Sequence, residues 1–147
     1  MKTELKQYTV EQICDGFEYN ALEKKGVYGL SGTLTIQPEY QRNYIYEDGQ
    51  RDVAVIESVL KGYPLGLIYF NRNKDFKFPQ TELEVLDGQQ RITSLGRFIQ
   101  KRFAVKINGM EHNFDGLNEG LRRKILDTKL LVYICEGEGE NAKEEIK

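Results

Sequence analysis

A mixed α/β domain is predicted by three features of this chain. Short apolar runs bounded by turn residues alternate with segments whose apolar residues recur at helical spacing. The stretch Thr81-Glu82-Leu83-Glu84-Val85-Leu86 reads as a strand entering a core, and Asp87-Gly88-Gln89-Gln90-Arg91 turns it into a helix whose Ile92, Leu95 and Ile99 share one side, with Phe98 beside them. Further on, Phe103 to Ile107 and His112-Asn113-Phe114 flank Asn108-Gly109, which is a hairpin signal.

The elements follow in chain order. No element is assigned to the first eight residues. Thr9 is a candidate N-cap with Gln12 as its capping-box partner, so a short helix runs to Cys14. Val27 to Gln37 reads as one strand, with Gly29 and Gly32 marking a bulge. Residues after Pro38 are extended or turn. Asp48-Gly49 opens a helix carrying Val53, Ile56 and Leu60, closed by Gly62 and Pro64. Asp48-Gly49-Gln50-Arg51 echoes the later motif through shared capping chemistry, since nothing else nearby repeats. Leu67 to Phe70 is a short buried strand, and Asn71 to Gln80 a polar loop. Leu117, Leu121 and Ile125 suit another helix, and Leu130 to Cys135 a last strand. The expected organisation is one domain over residues 1–135. Residues 136–147 form an acidic tail in which Asn141 opens a truncated helical continuation.

The 147 residues suffice for one core, and a composition of 39% hydrophobic and 30% charged residues is ordinary for a globular domain. A net charge of −2 argues against a domain that holds DNA mainly by phosphate neutralisation. Cys14 and Cys135 have no metal-ligand spacing, and two buried thiols in a reducing compartment is the expected account. The N-terminus lacks the apolar stretch of a signal peptide and no run spans a bilayer, so a cytoplasmic protein with no membrane partner is expected.

Asp87 to Arg91 carries two readings. As local structure, Asp87 is the N-cap and Gln90 its box partner, worth roughly 1 kcal/mol. As a site, free N–H groups and the helix dipole make the strand-to-helix turn an anion cradle, and Gly88 allows close approach. Arg91 opposes the dipole and wants an anion, either a carboxylate of the fold or a ligand phosphate.

Together with Ile36-Gln37-Pro38-Glu39-Tyr40-Gln41-Arg42-Asn43-Tyr44 and the helical Val55 to Leu65, the Asp87-Gly88-Gln89-Gln90-Arg91 motif resembles the N-terminal domain of GmrSD-type modification-dependent restriction proteins. The resemblance spans residues 36 to 98 and extends to about residue 135. It implies a ParB/sulfiredoxin-like fold, a small mixed sheet surrounded by helices. It also implies binding and Mg²⁺-dependent hydrolysis of a nucleoside triphosphate that regulates a separate nuclease domain or subunit, with DNA a partner of the full-length protein. Gly88, Gln89, Gln90 and Arg91 would hold phosphate, assisted by Arg42, Gln41 and Tyr40. Asp87 would position Mg²⁺, with Glu57 as second carboxylate; Asp87, Arg91 and Glu57 are the catalytic candidates.

The other candidates carry bland readings. Ser94 lies inside a helix without a histidine partner, and His112, the only histidine, is expected to be structural. One histidine cannot build a nuclease centre of the His-rich kind. The basic groups Arg97, Lys101, Arg102 and Arg122-Arg123-Lys124 read as solvated faces near helix ends. Two alternatives to the nucleotide reading stand open. One is a ParB-like DNA-binding or nicking module without nucleotide turnover. The other is a structural or protein-interaction domain in which Arg91 pairs with an internal carboxylate.

Overall fold

The computed structural model describes residues 2–23, 25–37, 49–79 and 82–136. Among them, strands β1 (Lys2–Thr9), β2 (Glu18–Asn20), β3 (Lys25–Gly29), β4 (Leu34–Thr35), β5 (Leu67–Arg72), β6 (Leu83–Asp87) and β9 (Lys129–Glu136) form one mixed sheet, ordered β1-β9-β5-β6-β4-β3-β2. Strands β7 (Val105–Ile107) and β8 (Met110–His112) make a separate hairpin. The helices are α1 (Val10–Cys14), α2 (Gly49–Leu60), α3 (Gln89–Ile99) and α4 (Glu119–Leu126). The mixed α/β expectation holds.

Alternation within the strands sets the layers. In β9, Leu130, Val132 and Ile134 are buried while Leu131 is exposed. Ile68 and Phe70 of β5 join them beneath Val10 and Ile13, Ile56 and Val59, Ile92, Leu95 and Phe98, and Ile125, contributed by the four helices in turn. One core therefore lies between one face of the sheet and the helices.

Local chemistry explains the helix ends. Thr9 Oγ1 accepts from Gln12 N at 3.1 Å and Gln12 Oε1 accepts from Thr9 N at 2.9 Å, the reciprocal box read from the sequence. Helix α2 closes in a Schellman arrangement: Gly62, at φ +80°, donates to Val59 O at 3.0 Å and Tyr63 N donates to Ser58 O at 2.9 Å. The Asn108-Gly109 hairpin is also as expected, with both residues at positive φ (53° and 80°).

Three expectations need correction. Residues 27–37 are not one bulged strand. A 3₁₀ turn (Leu30–Gly32) separates β3 from β4, which pair antiparallel through Tyr28↔Thr35 and Gly29↔Leu34. Gly29 is there for space: a Cβ would lie 2.5 Å from Ile13 O, where α1 crosses the strand. The polar loop starts later than residue 71, because β5 continues to Arg72 and buries Asn71. Finally, Lys2–Thr9 is a full strand, paired along its length with β9.

Candidate functional site

The motif sits where the antiparallel pair β5–β6 ends and α3 begins. Asp87 closes β6 as the Cα partner of Tyr69, and its carboxylate is 67% exposed. Gly88 follows at φ +110°, ψ 11°. An added Cβ would also meet Ile68 at 2.9 Å, so both conformation and space demand glycine here.

Gly88 is the N-cap of α3, and no side chain caps the helix. The expected Asp87 cap with its Gln90 box is thereby corrected. A glycine in the left-handed region turns the chain without a cap, which leaves the Asp87 carboxylate pointing to solvent. The glutamines are used elsewhere. Gln89 Nε2 donates back to Val85 O and Leu86 O, both at 3.3 Å, fastening the bend. Gln90 Nε2 donates to Asp52 Oδ1 at 3.2 Å and to Ser94 Oγ at 3.0 Å.

Arg91 reaches from the first turn of α3 to the entry of β5. Its guanidinium donates to Leu65 O, and to Leu67 O at 3.0 Å, while Asp87 Oδ2 lies 4.0 Å away. The cation that the dipole disfavours is thus held by two carbonyls and a carboxylate. Carbonyls do not cancel charge, and two of the five N–H donors are used by them. Gly66, between these carbonyls at φ +81°, belongs to the same arrangement, since a Cβ would stand 2.9 Å from Arg91 Nη1. Its position between Leu65 and Leu67 is the available sequence signal, and it is too weak to read alone.

Sequence reasoning also missed Asp52. This residue of α2 is 3% exposed and gathers three side chains of α3: Gln90, the hydroxyl of Ser94 at 2.5 Å, and Arg97. Arg97 is accordingly no solvated surface cation. Its guanidinium lies 5.1 Å from the Tyr19 ring centre and 5.5 Å from that of Phe103, a cation–π position on both. Asp52 stands one turn into α2, a place where any acidic residue reads as dipole chemistry.

The remaining candidates fall as follows. Tyr40, Gln41, Arg42 and Tyr44 lie outside the described residues. Glu57 is exposed on α2, five residues and so about 140° round the helix from Asp52, which faces α3. Asp87, Gly88, Gln89 and Arg91 come together at the turn, while the Gln90 side chain points to α2. The second basic group is engaged within the fold: Arg122 donates to Leu117 O at 2.6 Å, Arg123 pairs with Glu11 at 2.9 Å and with Asp127, and Lys124 donates to Leu60 O at 2.6 Å. Arg123 in turn holds the Asp127 carboxyl below its ordinary range by hydrogen bonding. His112 Nδ1 meets Gly116 O at 3.2 Å, in keeping with a structural role. Burial pushes the Cys14 thiol up to about 12, and the Cys135 thiol is also raised by burial. Among the described residues, no group of three or more His, Cys, Asp or Glu side chains is placed to hold a metal, and no helix is long and apolar enough to cross a membrane.

No curated protein and no solved structure shows significant similarity to the chain. Residues 22–147 match the family described as GmrSD restriction endonuclease, N-terminal domain. That match covers most of the chain and includes the turn just described, so the protein belongs to the GmrSD N-terminal domain family of restriction and phage-defence proteins.

Proposed function

We propose that the domain binds a nucleoside triphosphate at the Asp87–Arg91 turn and hydrolyses it with Mg²⁺, and that this cycle regulates a separate nuclease domain or subunit acting on DNA. The observation that carries the reading is the composition of the turn: an α-helix begins at a glycine with no side-chain cap, flanked by an exposed carboxylate and a guanidinium 4.0 Å apart. Amide groups of an uncapped first turn attract phosphate oxygens. Gly88 keeps the approach free of a Cβ, and Arg91 adds charge beside it. Arg42, Gln41 and Tyr40, which lie outside the described residues, would assist phosphate binding, as the family resemblance implies.

Asp87 fits a hard, oxygen-ligated, mostly hydrated cation, because its carboxylate is exposed and adjoins the phosphate cradle. The Asp87 carboxylate would hold the ion, which would supply positive charge to offset the negative charge developing on the phosphates. Glu57, exposed on α2, is the second carboxylate of this reading. Gln89 and Gln90 contribute through the backbone, their side-chain amides being used to fix the bend and to reach Asp52.

A second reading is supported by the same hydrogen bonds. Gln89, Gln90 and Arg91 each have partners inside the fold, as a purely structural junction requires. Calorimetric titration with each of the four NTPs and Mg²⁺ separates the two. Binding by the wild type that Asp87→Asn makes Mg²⁺-independent, and that a folded Arg91→Ala variant loses, supports the nucleotide reading. Absence of heat with every NTP supports the structural one. Asp87→Asn suits this test because the exposed carboxylate contributes little to stability.

A further inference from the structure

Strand β1 lies at one edge of the sheet: among the described residues it pairs with β9 on one side and with no strand on the other. Eight residues of open edge are a template for another strand, and proteins ordinarily blunt such edges with charge. Here the charges are arranged differently. Glu4 and Lys6 flank Leu5 symmetrically, each about half exposed, and they pair with each other at 3.5 Å. Leu5 is 54% exposed.

We propose that β1 is a homodimerisation edge, at which the β1 strands of two copies of this chain pair antiparallel about a two-fold axis at Leu5. In that register Leu5 faces Leu5, Glu4 faces Lys6 of the second copy, and Thr3 faces Gln7. The two-fold thereby creates two Glu4–Lys6 pairs across the junction, one on each side of the leucines. Neighbouring registers are disfavoured. A one-residue slip puts side chains of opposite faces in register, which flips the apolar face of one sheet to the polar side of the other. A two-residue shift in either direction sets Glu4 against Glu4 or Lys6 against Lys6, and like charges directly opposed are destabilising. Among these neighbouring registers, the one centred on Leu5 escapes both penalties.

The surface beside this edge is continuous with it. Leu5 is the Cα partner of Tyr133, and Tyr133 that of Tyr69, the two rings lying stacked at 5.8 Å. Leu131 and Leu67, one pair further along the same strands, are 39% and 36% exposed. Joining two copies at β1 would run these rows into one face across the two-fold, with the paired leucines at its centre. The edge backbone groups, otherwise left to water, would pair at the same time.

Sedimentation of the full chain over a concentration series tests the proposal. The mass should rise toward twice that of the monomer. Lys6→Glu, which opposes Glu4 to a glutamate at both ends, should weaken the association at least tenfold. Glu4→Lys combined with Lys6→Glu should restore it to within a few fold. The Glu4–Lys6 pair is exposed, so these variants leave folding intact, checked by thermal melting. Register has its own readout: Leu5→Cys should form an intermolecular disulfide under a mild oxidant, because the two-fold places that position opposite itself, whereas Gln7→Cys, which faces Thr3 of the second copy and Leu131 of β9, should not. A monomer at all concentrations overturns the proposal. So does a dimer that Lys6→Glu leaves unchanged, or one in which Gln7→Cys cross-links and Leu5→Cys does not.

Discussion

At the residue scale, Asp52 has the most to lose from substitution. Its carboxylate accepts from Gln90, Ser94 and Arg97, and all three donors lie on α3, so Asp52→Ala would leave an amide, a hydroxyl and a guanidinium without their acceptor. Removing one partner of a fully buried pair costs roughly 3–5 kcal/mol. Arg97 retains 22% side-chain exposure and its ring contacts, so water and the rings recover part of that. A loss of about 2–3 kcal/mol is expected by denaturant titration, with Asp52→Asn costing less because its amide oxygen still accepts from Ser94. Gly96 is a second sensitive residue. A Cβ there would stand 2.5 Å from the Phe17 ring, so Gly96→Ala must displace Phe17 and should destabilise by roughly 1–3 kcal/mol despite the better helix propensity of alanine. Neither Asp52 nor the packing role of Gly96 was visible in the sequence. Pairing across helices depends on which faces meet, and spacing within one helix does not report that.

Cys14 ties a residue to pH. Burial raises its thiol from 9.0 to about 12, so the folded state keeps its proton between those values while the unfolded chain releases it. The folded state then binds more protons, and stability falls as pH rises through that window, by an amount shared with other groups that titrate there. Below pH 9 the thiol contributes no such slope. The measurable counterpart is alkylation: at pH 8 iodoacetamide should modify Cys14 far more slowly in the folded protein than in denaturant, since the thiolate is the nucleophile.

Elements were legible in proportion to how local their causes are. The capping box of α1 and the Asn108-Gly109 turn depend on a few adjacent residues, and both were read correctly. Thr9→Ala is therefore expected to cost about 1 kcal/mol, seen as a lowered melting temperature, by releasing the Gln12 amide. The N-terminus of α3 shows the limit of the same logic. Asp87 and Gln90 have capping-box spacing, yet Gly88 adopts φ +110° and takes the cap position, and Gln90 is drawn to Asp52 across the helix interface. A tertiary partner outcompeted a local one. β1 escaped notice for another reason. Its sequence Lys-Thr-Glu-Leu-Lys-Gln-Tyr-Thr lacks apolar alternation because Thr3 to Gln7 are exposed on both faces of the sheet, and only its partner β9 makes it a strand. The motif turn was legible as a place, through strand, glycine and helix signals. The partners of its side chains were not.

Across the whole molecule, the sheet order predicts how stability is distributed. β9 pairs with β1 through eight residues and with β5 through six, and its buried face carries Leu130, Val132 and Ile134. β5 is likewise paired on both sides, by β9 and β6. To free an amide in the middle of either strand, two ladders and the central core must open together. Among the described residues, β2 has three residues, one neighbour and a register shift, and the β7–β8 hairpin stands apart from the sheet. Amide exchange depends on the opening of such cooperative units. In native-state hydrogen exchange, amides of β9 and β5 should be the slowest, near the global unfolding limit, and those of β2 and β7–β8 should exchange first. The α3 amides from Ile92 to Phe98 should follow the sheet, because their side chains fill its core. Asp52→Ala would then speed exchange in α2 and α3 more than in β1. If α3 instead exchanged with the hairpin while the sheet stayed protected, the Asp52 link and the apolar face of α3 could not be holding the motif turn to the sheet.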